Sequence, residues 1–320
     1  MREDSKIYVA GHRGLAGSAL VRALAGVGHA NILTRTHAEL DLTDQAAVRR
    51  FFQVERPEHV FLAAAKVGGI HANSAYPAEF IRTNLAIQTN VIHEAWKAGV
   101  ERLIFLGSSC IYPRDCPQPM REEYLLSGPL EPSNRPYAVA KIAGIEMCSG
   151  YNRQYGTRFL AAMPTNLYGP GDTYDLENSH VIPAFIRKMH EAKVRGDAQV
   201  VVWGTGEARR EFLFSDDMAE ACVLLMRLPE AEYTALLGGG LWPLVNVGSG
   251  ADQTVAELAR LVAEEVGFRG RFVYDAARPD GTPQKMLDIS RMSALGWRPR
   301  VALHEGIRQA YQDFRRRFAK

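Results

Sequence analysis

Tyr137 and Lys141, in the stretch Pro136-Tyr-Ala-Val-Ala-Lys141, are the residues whose types and spacing promise chemistry. Four positions apart on a helix, they stand on one face, one turn from each other. A free phenol has a pKa near ~10 and is a poor base at neutral pH. An ammonium one turn away favours the phenolate, so the spacing predicts a Tyr137 pKa pulled down towards neutrality. Such a pair moves a proton on or off a carbinol or carbonyl oxygen. An isolated Tyr-x-x-x-Lys is an ordinary helix face. Here it is accompanied by a glycine-rich stretch at 11–17 and a Ser-Ser-Cys sequence at 108–110.

Gly11, Gly14 and Gly17 fall between a short apolar run, Lys6–Ala10, and an amphipathic one reaching Leu24. Glycines between a strand and a helix permit a tight turn and close approach of a pyrophosphate to the helix N-terminus. The next strand, Asn31–Thr34, leads into Arg35-Thr36-His37, where no acid is available for a ribose hydroxyl. With Arg13 in reach of the same place, that pocket suits a 2′-phosphate, hence NADP; alternatively, Arg35 points into solvent. Leu106-Gly107-Ser108-Ser109-Cys110 ends a further strand, and in a doubly wound sheet such ends face the ligand crevice. Ser108 is placed to share an oxygen with Tyr137. Cys110 shares the face of Ser108 if the strand continues; the plainer reading is a small buried side chain.

The elements that must position these residues alternate. Strands are expected at His59–Ala65, Arg102–Leu106 and Phe159–Met163, and long helices at Pro77–Ala98 and Pro136–Tyr155. Thr43-Asp44 caps a helix whose apolar face is Val48, Phe51 and Phe52. This pattern predicts an α/β, Rossmann-type doubly wound parallel sheet with a smaller C-terminal lobe. After Pro164 the pattern loosens. Val200–Trp203 reads as a strand outside the first sheet, Phe212-Leu-Phe214 as a strand entering a helix capped at Asp216-Asp217, and Leu244–Val247 as a return to the main sheet. Residues 1–170 plus about 212–250 therefore form one unit, and about 171–211 plus 251–320 the other. A net charge of +2 leaves no electrostatic footprint for nucleic acid, and Arg315–Arg317 reads as solvated surface. The four cysteines form no Cys-x-x-Cys pair, so no metal site or disulfide framework is expected, and reduced thiols in the cytoplasm are the default. No apolar run spans a membrane, and the polar start at Met1–Ser5 leaves no room for a signal peptide.

The chain resembles the extended short-chain dehydrogenase/reductases that act on nucleotide sugars. The resemblance runs through Gly11–Gly14, Leu62–Ile70, Leu106–Pro113, Pro136–Gly144, Met163–Pro170, Asn178–Pro183, Arg210–Phe212 and Pro279–Pro283. Leu106–Pro113 and Asn178–Pro183 are much more specific than the dehydrogenase motifs. It implies NADPH-dependent 3,5-epimerisation and 4-keto reduction of GDP-4-keto-6-deoxy-D-mannose to GDP-L-fucose. It further implies that Ser108, Tyr137 and Lys141 form a reductase triad and that Cys110 and His180 are the base and acid of epimerisation. The NADP site it implies comprises Gly11, His12, Arg13, Gly14, Leu15, Ala16 and Gly17, with Arg35, His37, Asp41 and Leu42 towards the adenosine. Leu106, Gly107, Ser108, Ser109, Lys141, Pro164, Thr165, Asn166, Leu167 and His180 complete it towards the nicotinamide. Lys188, Trp203, Arg210 and Asp280 fall where that family grips a GDP-sugar. Taken alone, His180 is an ordinary structural histidine and Arg210 a surface charge. The resemblance also implies a homodimer through the two long helices.

Overall fold

Ile7–Ala10, His59–Leu62 and Arg102–Leu106 are buried along their whole length, so each strand has two faces to cover. That demands a sheet with helices on both sides. The structure, a computed structural model, describes residues 1–176, 179–240 and 242–318. Asn178, the first residue of the Asn178–Pro183 stretch, lies outside the described residues. The strands are β1 (Ile7–Ala10), β2 (Ile32–Leu33), β3 (His59–Leu62), β4 (Arg102–Leu106), β5 (Phe159–Pro164) and β6 (Asn166–Tyr168). They continue as β7 (Gln199–Trp203), β8 (Arg209–Phe214), β9 (Leu244–Val247), β10 (Asp252–Thr254), β11 (Arg271–Asp275) and β12 (Gln284–Lys285). The helices are α1 (Leu15–Gly26), α2 (Gln45–Glu55), α3 (Ile70–Ala75), α4 (Pro77–Lys97), α5 (Arg135–Tyr155) and α6 (Val181–Arg195). After these come α7 (Ser215–Arg227), α8 (Glu230–Gly238), α9 (Val255–Val266), α10 (Ser290–Ala294) and α11 (Leu303–Phe318).

The main sheet is parallel in the order β2-β1-β3-β4-β5-β9. Alternate strand residues feed two cores. Tyr8, Ala10, Leu62 and Phe105 pack under α2, α4 and α5. Ile7, Val9, Phe61 and Ile104 pack under α1 and α7. A third core joins Phe212 and Phe214 of β8 to apolar residues of α6, α9 and α11. β8 pairs with β6, β10 and β12, while β7 and β11 form a separate two-stranded sheet.

The expected strands and helices are present, with local differences. Asp44 caps α2 as its spacing predicts, accepting from the Ala46 and Ala47 amides at 2.8 and 3.0 Å. The third strand stops at Leu62, so residues 63–65 leave the sheet and line the cleft described below. Asp217 does not cap α7. It accepts instead from the amides of Arg300 at 3.1 Å and Val301 at 2.9 Å, tying the helix to the C-terminal segment.

Candidate active site

β4 delivers its carboxyl end to the cleft, and α5, opened by Pro136, brings Tyr137 and Lys141 against it. Both side chains are buried, at 9% and 3% exposure. Lys141 Nζ donates to the Leu106 carbonyl at 2.7 Å and stands 4.7 Å from the Phe105 ring and 5.9 Å from that of Tyr137. Phe80 packs edge-on to Tyr137 at 6.1 Å, with Ala72 beside them. This enclosure overturns the expected direction for the phenol. Burial pushes the Tyr137 pKa up, the charge of Cys110 adds to that, and a hydrogen bond with Ser108 works against it. Burial also pulls Lys141 down to about 7, so the neighbouring cation that was to stabilise a phenolate is itself losing its charge. Tyr137 keeps its proton, the form a reduction needs for donation to an alkoxide.

Cys110 is not on a continuing strand. β4 ends at Leu106, and Ser109–Ile111 form a 3-10 turn whose first carbonyl residue, Ser108, also accepts from the Cys110 amide through its hydroxyl at 3.4 Å. The turn still carries the sulfur into the cleft beside Tyr137. Its Sγ accepts from Asn134 Nδ2 at 3.3 Å and from Lys285 Nζ at 3.5 Å. His180 stands at the N-cap of α6, in the same cleft. The residue is exposed at the cleft, yet the surrounding walls lower its pKa by desolvation.

The cleft, about 1220 Å³, runs from α1 to β7 and β11. At the α1 end the three glycines differ. A Cβ on Gly11, whose φ is +87°, would sit 2.7 Å from the Ala64 amide, and one on Gly17 would strike the Gly11 carbonyl. Gly14 has no such constraint; its nearest neighbour would be 3.5 Å away. It caps α1 without a side-chain hydrogen bond, leaving the first-turn amides facing the cleft, as a pyrophosphate requires. Arg35 lines the cleft but is paired with Glu55 at 2.6 Å, and the exposed His37 stands 3.8 Å from Asp41. Leu15, Ala16, Leu42, Gly107, Ser109, Pro164 and Leu167 also line it, while His12 and Arg13 do not. Thr165 and Asn166 are anchored on the Glu211 carbonyl at 3.2 and 2.8 Å. Apart from His12 and Arg13, the expected cofactor residues line one cleft, and the amides and the Gly14 gap fit the pyrophosphate of NADP; the acid-free pocket expected at Arg35 is not found, since Glu55 of α2 pairs with it.

At the far end, Lys188 and Arg278 lie over the Trp203 ring at 4.4 and 4.9 Å. Arg210 donates to the carbonyls of Asp280 at 2.7 Å and Arg209 at 2.8 Å. Both Asp280 oxygens hold Thr205, at 2.9 Å from its amide and 2.8 Å from its hydroxyl. Arg278, Asn134 and Lys285 were not foreseen. Arg278 offered a signal, being two residues before Asp280; the other two depend on contacts between distant segments.

The chain belongs to the NAD dependent epimerase/dehydratase family, whose model matches residues 7–236. It is 56% identical over 311 residues to the probable GDP-L-fucose synthase 1 of Oryza sativa subsp. japonica, covering 97% of this chain and 92% of that one. It is 50% identical over 312 residues to the GDP-L-fucose synthase of Escherichia coli (strain K12), covering 97% and 96%. Among solved structures it is similar to a GDP-D-glycero-L-gluco-heptose synthase from Campylobacter jejuni in the presence of NADPH. That likeness has a TM-score of 0.91 and 37% identity over 98% of this chain and 99% of that one.

Proposed function

We propose that the protein is an NADPH-dependent epimerase–reductase that converts GDP-4-keto-6-deoxy-D-mannose to GDP-L-fucose. The observation that carries this reading is a thiol in the reductase site: Cys110, against Lys285 and Asn134, in the cleft that also holds Tyr137, Lys141 and His180. A simple ketoreductase has no use for that thiol and imidazole. The 4-keto group acidifies the hydrogens on C3 and C5. Cys110 removes each proton, Ser108 and Tyr137 hold the enolate oxygen, and His180 returns a proton from the other face. Tyr137 then protonates O4. NADPH, when bound, supplies the hydride that reaches C4. The α1 amides and Gly11–Gly17 would hold its pyrophosphate, Arg35 and His37 its 2′-phosphate, and Asp41 and Leu42 its adenine. Lys141 would hold the nicotinamide ribose, with Leu106–Ser109, Pro164–Leu167 and His180 around the ring. Lys188, Trp203, Arg210 and Asp280 would grip the GDP moiety.

The division follows function: residues 1–170 plus about 212–250 bind the cofactor, and about 171–211 plus 251–320 the sugar nucleotide. A homodimer through α4 and α5 is supported by the aromatic cluster of His93, Trp96, Tyr151 and Tyr155 along those helices. No helix among the described residues is long and apolar enough to cross a membrane, and all four cysteines are free, which suits the cytoplasm.

Turnover of the 4-keto substrate with NADPH in D2O, followed by NMR, tests the reading. The expected product is the L-fuco sugar labelled at C3 and C5. An unepimerised 6-deoxy-D-sugar would reduce the enzyme to a 4-ketoreductase. Cys110→Ser and His180→Gln should each slow wash-in at least about tenfold, and Tyr137→Phe should cost about a hundredfold or more in reduction, with NADPH still bound by Cys110→Ser and Tyr137→Phe.

A further inference from the structure

Cys110 is addressed from two separate parts of the chain. Asn134, buried at 8% exposure, immediately precedes α5, and its own amide is fixed on the Glu131 carbonyl at 3.3 Å. Lys285 comes from β12, where it pairs in register with Arg210 of β8. Lys285 can only donate, an ammonium having no lone pair, and Asn134 turns its NH2 to the sulfur, so the same Sγ accepts from both. Two N–H donors on one sulfur suit an anion far better than a thiol. Charges of both signs stand around that sulfur, and the one that touches it is positive. Lys285 has no carboxylate ion partner among the described residues, and Arg210 senses the Cys110 charge while facing Asp280 and Glu131. Tyr137 also lies against Cys110, and it is neutral.

We infer that Lys285 and Asn134 are positioning residues that hold Cys110 as a thiolate aimed at the sugar ring, one from each lobe. This rests on the reading of Cys110 as the epimerisation base. In that step the S–H bond forms as the C–H bond breaks. The C–H electron pair moves into the enolate, and its charge settles on O4. Lys285 keeps its own proton throughout; it stabilises the sulfur before the transfer. β12 is tied to both units, pairing with β8 while Gln118 and Met120 bond the backbone of Gln284 and Met286 on either side of Lys285, so the cation is held at the sulfur from both.

The test uses the intact protein and iodoacetamide, with peptide-resolved mass spectrometry following Cys110 alkylation against pH. Lys285→Met should slow Cys110 alkylation and deuterium wash-in at C3 and C5 at neutral pH by about tenfold each, while Lys285→Arg restores both in part. Asn134→Asp, which sets a carboxylate against the sulfur, should slow the alkylation as well. An unchanged profile in Lys285→Met overturns the inference, and so does a slowing that Lys285→Arg reproduces in full. Slowed alkylation with normal wash-in would support the thiolate cradle and instead remove Cys110 from the role of base. Should Lys285→Met not fold, Lys285→Gln carries the same expectation.

Discussion

Lys141 sits with its ammonium against one backbone carbonyl at the end of β4, and that confinement sets its protonation. Its folded pKa is about 7 against an ordinary 10.5. Between those values the folded chain holds a neutral amine while the unfolded chain holds a cation, so unfolding takes up a proton and stability rises with pH. Below about pH 7 both states are charged and the full burial penalty is felt. Lys141→Met should therefore raise the melting temperature of the ligand-free protein by roughly 5 °C at pH 6, with the gain shrinking towards pH 10, while reductase activity collapses. A gain that stays constant across that range would mean that Lys141 is not desolvated as its surroundings require. The same residues show what sequence conveys at this scale. One-turn spacing identified Tyr137 and Lys141 as a pair. It gave the wrong direction for the phenol, because spacing along a helix carries no information about Phe80, Ala72 and Phe105 closing around it.

Between β1 and α1 the glycines separate what the fold needs from what a ligand needs. Gly17→Ala should cost about 3 kcal/mol or more, since its Cβ would overlap the Gly11 carbonyl and neither backbone can yield without moving the turn. Gly14→Ala meets only the Gly11 carbonyl, at an ordinary contact distance of 3.5 Å, and should change ligand-free stability by less than about 1 kcal/mol. It should nonetheless weaken NADPH binding about tenfold or more, because the methyl group enters the space in front of the α1 amides. Denaturant titration and fluorescence titration of NADPH separate the two. Normal NADPH affinity in Gly14→Ala would place the pyrophosphate elsewhere. This strand–turn–helix was legible because its signals are local: an apolar run, spaced glycines, then an amphipathic stretch. The turn at Cys110 was not, since Ser108-Ser109-Cys110 reads equally well as a continuing strand. The hydroxyl of Ser108 taking the Cys110 amide, and its carbonyl taking the Ile111 amide at 3.2 Å, bend it away. Arg35 illustrates another limit, for its pairing with Glu55 depends on α2 lying beside β2.

The main sheet and the second lobe are joined where Gly169-Pro-Gly171 turns away from β6, and the C-terminal helix α11 fastens that turn. Asp313 accepts from the Gly171 amide at 3.0 Å, and Arg317 donates to the Asp172 carbonyl at 3.0 Å and to Asp313 at 3.1 Å. Arg315–Arg317 read as solvated surface in sequence, and all three are exposed. What that reading missed is the hydrogen bond of Arg317 to a carbonyl 145 residues away in the chain. The return of β9 to the main sheet, by contrast, was legible from a short apolar run alone. The fastened turn carries a buried carboxyl. One Asp172 oxygen accepts from the Thr173 amide at 2.7 Å, and the other has no hydrogen-bond partner. Burial raises its pKa from 3.8 to about 7; Asp313 adds to this, and the Thr173 amide and Arg317 oppose it. Here the folded state binds the extra proton, so its contribution is fully present below about pH 4 and is lost as pH rises through about 7. Asp172→Asn mimics the protonated form. Its urea midpoint relative to wild type should rise with pH, from near equality at pH 4 to a gain worth about 2 kcal/mol at pH 8. A difference independent of pH would show that Asp172 ionises freely where α11 meets the turn, and that the joint between the lobes is looser than its hydrogen bonds imply.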